Sequence, residues 1–154
     1  MQHDIVIRGG RWFDGAGSAS KVCDIGIREG RVAAIGEGLA GADVIEADGQ
    51  WVMPGFIDTH THYDAEVLVA PELGESVRHG VTTVVTGSCS LSMVRSSPLD
   101  CADMFSRVEA LPREPVLNTL ERVKTWSTAA GWIEHLESLA LGPNVASMIG
   151  HSDL

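Results

Sequence analysis

The sequence predicts a small all-β module over residues 1–54, followed over 55–154 by parallel βαβ units. Three observations predict it. From Asp4 to Met53 apolar residues recur every second position with glycines between the runs, the pattern of short strands joined by tight turns. Beyond Pro54 the rhythm changes to continuous apolar runs separated by helical stretches, the pattern of strands buried on both faces. The order strand, helix, strand, helices, strand then argues for right-handed parallel crossovers.

Each element has its own signal. "DIVIRGGRWF", "VCDIGIREGRVAAIG" and "VIEADGQWVM" supply the module's strands. Glu29-Gly30 sits between two alternating runs and reads as a hairpin turn, because glycine supplies the positive φ required there, and Asp48-Gly49 repeats the signal. "GFIDTH" reads as a buried strand, "APELGESVRHG" as a short helix and "VTTVVTGS" as a second strand rich in β-branched residues. Arg78 and His79 fall in the helix's last turn, with Gly80 at the position past its end, so His79 reads as a capping residue. Helical stretches follow over 104–107 and 117–123. Ser127-Thr128 opens a better one, "GWIEHLESLAL", with Trp132, Leu136 and Leu139 on one face and His135 pointing away into solvent, before Gly142-Pro143 stops it. "NVASMIG" supplies a third strand ending at His151. A (β/α) barrel takes about 250 residues, so the chain is expected to be too short to close one.

Composition excludes several classes. The 154 residues carry 11 basic and 21 acidic side chains, a net charge of -10, with no basic stripe to neutralise phosphates, which argues against nucleic acid. No run approaches the roughly 20 apolar residues that span a bilayer, and "MQHDIVIRGG" lacks the basic start of a signal peptide. Cys23, Cys89 and Cys101 form an odd set without paired spacing, which fits a reducing cytoplasm better than a disulfide framework. "GEGLAG" matches the glycine pattern of dinucleotide-binding loops, but the β-like "ADVIEADGQ" follows it where that loop needs a helix.

The chemistry concentrates in "PGFIDTHTHYD". On a strand Asp58, His60 and His62 share one face and Thr59 and Thr61 the other. At the C-terminal end of a barrel strand that face carries catalytic groups, and two imidazoles there can converge on one cation. Burying them without a metal requires other partners for their ring nitrogens. Cys89 in "VTTVVTGSCS" stands just past the next strand on the same rim. It reads either as a thiolate completing a mixed nitrogen and sulfur site or as a small buried hydrophobe. The small polar neighbours Gly87, Ser88 and Ser90 favour access, whereas Cys23 and Cys101 read as structural. His151 ends the third strand on that rim and either reaches the site or caps a loop. Tyr63 and Asp64 read either as shaping the pocket mouth or as exposed loop residues.

"GFIDTHTHYD" after a β module, then "HGVTTVVTGSCSLS", then a tryptophan-containing helix and "GPNVASMIGHSDL", resembles the amidohydrolase superfamily, and within it the N-acyl-D-amino-acid deacylases or D-aminoacylases. The likeness runs along essentially the whole chain. It implies a β-sandwich module followed by the first strands and helices of a metal-dependent (β/α)8 barrel, and hydrolysis of the amide of N-acyl-D-amino acids. It places His60 and His62 in the metal-binding His-x-His pair and Cys89 at the metal-binding cysteine, which stands where many relatives carry a carboxylated lysine. One or two zinc ions are implied in the intact enzyme. The family more often reads Gly-Asn-Cys-Gly where this chain has Gly87-Ser88-Cys89-Ser90, a change that bears on hydrogen bonds around the metal. Further histidine ligands, the catalytic aspartate and the groups that read the substrate carboxylate are expected past Leu154, so this piece alone is expected to be inactive. Two other readings are a cyclic amidase of the dihydroorotase or hydantoinase kind and a non-catalytic module that self-associates through unclosed sheet edges.

Overall fold

A computed structural model describes residues 2–153, with Ser152 described by its backbone alone. The chain divides into two compact units at the junction between Pro54 and Gly55.

The first unit consists of β1 (His3–Trp12), β2 (Lys21–Arg28), β3 (Arg31–Gly36), β4 (Gly41–Glu46) and β5 (Trp51–Val52). They form one sheet in the order β3-β2-β1-β4, with β5 also paired to β1. It is mixed: β2 is antiparallel to β1 and β3, whereas β4 and β5 run parallel to β1. The Glu29-Gly30 hairpin forms as expected, with φ of 50° and 70° between the paired Arg28 and Arg31. Asp48-Gly49 also turns, Gln50 N–H donating to the Ala47 carbonyl at 2.9 Å, but it makes no hairpin. The strands on either side keep the same direction along β1, so the turn is a jog that lets the chain resume pairing at Trp51. An all-β module is therefore present, built as one hydrogen-bonded sheet where a sandwich would have two. "GEGLAG" leads directly into β4 at Gly41 with no helix.

Strand alternation fails at one instructive place. Cys23, Asp24, Ile25 and Gly26 are all buried, because the Asp24 carboxylate accepts the Gly9 and Leu39 amides at 3.0 and 3.1 Å. These bonds replace the water that the charge loses.

The second unit holds β6 (Phe56–Asp58), β7 (Val81–Thr86) and β8 (Asn144–Ser147), parallel and adjacent in that order. The first crossover carries α1 (Gly74–Arg78), and the second carries α2 (Pro98–Val108), α3 (Arg113–Val123) and α4 (Ala129–Glu137). Among the described residues these three parallel strands make an open sheet and no closed barrel. Two apolar clusters lie under the helices, one around Met93, Cys101, Phe105 and Leu120, the other around Val67, Val94, Trp126, Trp132 and Leu136. Burying a side chain such as Phe105 stabilises by about 2–3 kcal/mol.

Helices α2 and α3 start earlier than their apolar spacing predicts. Ser97 caps α2 by accepting the Asp100 amide at 3.2 Å, with Pro98 in the first turn, a start signal that lies outside the periodic stretch. Thr128 caps α4 the same way, accepting the Gly131 amide at 3.2 Å. Trp132 and Leu136 on α4 are buried as expected. His135 is not solvated: its ring stacks on Trp126 at 4.5 Å and its Nε2 is buried without a partner. Being three residues from Trp132, it shares that side of the helix, and burial lowers its pKa. The C-cap of α1 is His79, followed by Gly80 with φ of 83°. Among the described residues no helix is long and apolar enough to cross a membrane.

Candidate metal centre

The parallel sheet brings the loops after β6, β7 and β8 to one rim, where His60, His62 and Cys89 meet. One ligand atom from each lies within 4.8 Å of the others. His60 Nε2 is 3.1 Å from Cys89 Sγ, and the two imidazole centroids are 5.4 Å apart at 67°. Strand β6 itself ends at Asp58, so the histidines stand on a loop rather than on the strand face expected. Thr61 holds that loop in near-strand register. It is buried, and both its amide and its hydroxyl donate to the Val85 carbonyl, at 3.1 and 2.8 Å. Asp58 does not join the cluster; its carboxylate accepts the His60 amide at 3.2 Å.

Cys89 sits in a single 3-10 turn, Ser88–Ser90, with φ of 54° at Cys89 and 65° at Ser90. Two successive non-glycine residues in the left-handed region are costly. The turn is pinned by backbone packing: a Cβ on Gly87 would lie 2.3 Å from the Met148 carbonyl oxygen, and one on Gly150 would lie 2.2 Å from that of Ser90. No side chain fits at either position, and the Cys89 thiol is thereby presented at the exposed rim. Cys101 is its opposite, buried in the core with its thiol pushed up to about 12 by desolvation. Cys23 is likewise buried.

Two acids that the sequence left ambiguous or unremarked organise this rim. Asp64 is wholly buried, so it is not an exposed loop residue; its Oδ2 accepts the Gly87 amide at 3.1 Å, while Oδ1 has no partner. Burial pushes its carboxyl up to about 6, against the pull of the Gly87 amide. The pattern His60-x-His62-x-Asp64 is a signal that could have singled it out. Tyr63 is half-buried, its hydroxyl accepting from Ser76 Oγ at 3.0 Å. Asp153 is buried as well and accepts from Ser92 Oγ at 2.6 Å and from the amides of Val94, Arg95 and Ser96 at 2.7, 2.9 and 2.5 Å. Desolvation alone would raise its pKa; these hydrogen bonds outweigh it and hold the carboxyl below the usual range. His151 is exposed in the 3-10 turn His151–Asp153 and lies outside the His60, His62 and Cys89 group.

Beside the two histidines a cavity of about 650 Å³ opens toward α3, lined among others by Tyr63, Leu68, Glu109, Leu111 and Val116. Glu109 Oε1 approaches His62 Nδ1 to 3.9 Å. Of the two lysines, Lys124 donates to the Trp126 carbonyl at 2.8 Å and Lys21 lies in the first unit, so among the described residues no lysine joins the cluster.

Two imidazoles and a thiol at the C-terminal rim of a parallel β/α sheet define an α/β protein with a candidate site for a cation such as zinc. The sequence profile of the amidohydrolase family matches residues 43–140, and the chain belongs to that family. An uncharacterized protein of Mycobacterium tuberculosis (strain ATCC 25618 / H37Rv) is 56% identical over 100% of this chain and 26% of its own length. A D-aminoacylase structure, described by its binuclear metal centre with one-metal activation and second-metal attenuation, superposes with a TM-score of 0.78 at 29% identity, over 98% of this chain and 30% of that one. The N-acyl-D-glutamate deacylase of Bordetella bronchiseptica, complexed with zinc and a phosphonate mimic of the tetrahedral intermediate, gives 0.73 at 28% identity, over 99% and 30%. The chain thus spans between a quarter and a third of the length of these proteins.

Proposed function

We propose that this chain is the N-terminal part of a zinc-dependent amidohydrolase that cleaves the amide of N-acyl-D-amino acids, with His60, His62 and Cys89 as metal ligands. The β module and the parallel β/α portion are then its first two domains. The observation that carries the reading is the convergence of the three donors within 4.8 Å, in a chain similar to deacylases that hold zinc or a binuclear metal centre.

The donor set suits zinc, which takes neutral imidazole and thiolate together. The close His60–Cys89 pair is the state in which ligand groups of such a site stand. Zinc bound there supplies Lewis acidity for amide hydrolysis. The chain's own residues supply position. Thr61 and Asp64 tie the histidine loop to β7 and Gly87, the glycine contacts fix the Cys89 turn, and the cavity beside the histidines gives an acylated amino acid room.

The test is zinc content and affinity of the purified protein beside its Cys89→Ser and His60→Ala variants. Both variants are expected to lose zinc, and cobalt substitution of the parent should give a thiolate-to-cobalt absorption band that Cys89→Ser lacks. Equal metal content in parent and Cys89→Ser removes Cys89 from the site. Substrate class is tested on the whole protein: release of free D-amino acid from N-acetyl-D-amino acids supports the reading, and opening of cyclic amides instead overturns it.

A further inference from the structure

We infer that Glu109 is the positioning residue for His62: its carboxylate takes the Nδ1 side of the ring and leaves Nε2 free for the metal. The inference rests on the metal reading above and adds a residue to it.

Three observations converge on Glu109. His62 Nδ1 is buried and has no hydrogen-bond partner. The atom it faces is Glu109 Oε1, 3.9 Å away. Both side chains line the same cavity. Glu109 is also placed by the backbone rather than by chance. It caps the C-terminus of α2, its amide donating to the Phe105 carbonyl at 2.9 Å. Ala110 then turns the chain out of the helix with φ of 51°.

An imidazole that ligates a metal through one nitrogen carries its proton on the other, and a carboxylate at that N–H fixes the tautomer and raises the ring's basicity. Shifting the carboxylate by roughly 1 Å closes the present separation to hydrogen-bond distance. Without it, His62 divides its population between two tautomers, only one of which presents a lone pair at Nε2.

The experiment uses the purified chain and its Glu109→Ala and Glu109→Gln variants, with thermal melts to show that each is folded. Chelator competition should show zinc affinity falling about 10- to 100-fold in Glu109→Ala and largely restored in Glu109→Gln, which keeps an acceptor oxygen. Nitrogen-15 NMR of the metal-free protein should show His62 as the Nδ1–H tautomer in the parent and mixed in Glu109→Ala, with His60 unchanged. A parent that binds zinc and a folded Glu109→Ala that binds it equally, with the same His62 tautomer, overturns the inference and leaves the metal site standing. A parent that takes up no zinc overturns the metal site itself.

Discussion

Asp24 and Asp64, a buried aspartate from each unit, separate architecture from chemistry. Asp24 in the β module has both oxygens occupied by backbone amides, and the Gly9 hydrogen bond holds its carboxyl below the ordinary range. Asp64 in the second unit has one oxygen occupied and one orphaned, and burial raises its carboxyl. A fully satisfied buried charge does the work of a turn or bulge. A half-satisfied one, two residues from an imidazole pair, marks where a fold tolerates imperfect solvation for the sake of a site. The same division extends to the other polar groups. Most of the buried ones lie in the second unit, and besides Ser76 on α1 they are Thr61, Asp64, Thr86, Ser88, Ser92 and Asp153, around the rim that carries His60, His62 and Cys89.

Four substitutions break or sharpen that contrast. The largest effect is expected from Trp132→Ala, which empties the centre of an apolar cluster in the second unit and should cost about 3–5 kcal/mol in denaturant melts. Asp153→Ala comes next. It strands the Ser92 hydroxyl and three amides together, and a loss of about 3 kcal/mol is expected. A loss within error of zero would show that the rim stands without this carboxylate. Ser90→Gly should stabilise by up to about 1 kcal/mol, because glycine relieves the left-handed backbone at φ of 65°. A destabilised variant would mean that the serine side chain matters more than the strain.

The smallest effect is expected from Asp24→Asn, and it is a matter of pH. The Gly9 hydrogen bond makes the folded carboxyl of Asp24 titrate below its ordinary, unfolded value. It therefore adds stability that is present above that value and is lost as pH falls through the folded pKa. Asp24→Asn should lower the melt near neutral pH, where the parent's charge is fully stabilising, and flatten this acid limb, so that the two proteins converge as pH falls. An acid limb as steep as the parent's would move the linkage to other carboxylates.

How far the sequence could be read depended on whether a signal was local. The Glu29-Gly30 turn and the Thr128 start of α4 each rest on a few adjacent residues, and each forms as read; the parallel pairing of β6, β7 and β8 was legible from the order of elements along the chain. The three candidate ligands were legible from type and strand-end position, and the structure brings them together. That they stand on loops and not on a strand face was not legible, because the strand gives way to a turn once Asp58 accepts the His60 amide. The Asp48-Gly49 turn misled because turn chemistry is local whereas strand direction is set by pairing with β1. Glu109 and Asp153 were invisible for a related reason. Their partners lie 47 and up to 61 residues away, and nothing in the neighbouring sequence distinguishes them from solvated acids. His135 was misread because Trp126, which covers it, belongs to the segment before the helix.

The bonds made by Asp153 carry a consequence for synthesis. The loop just beyond Cys89 takes its shape from a carboxylate 57 to 61 residues further along the chain. While the ribosome is still translating the α2–α4 crossover, that loop has only water to accept from its amides. The thiol's surroundings therefore mature late, only after the residues following β8 have left the exit tunnel, and a nascent polypeptide stalled before that point holds its cysteine in an unfinished pocket.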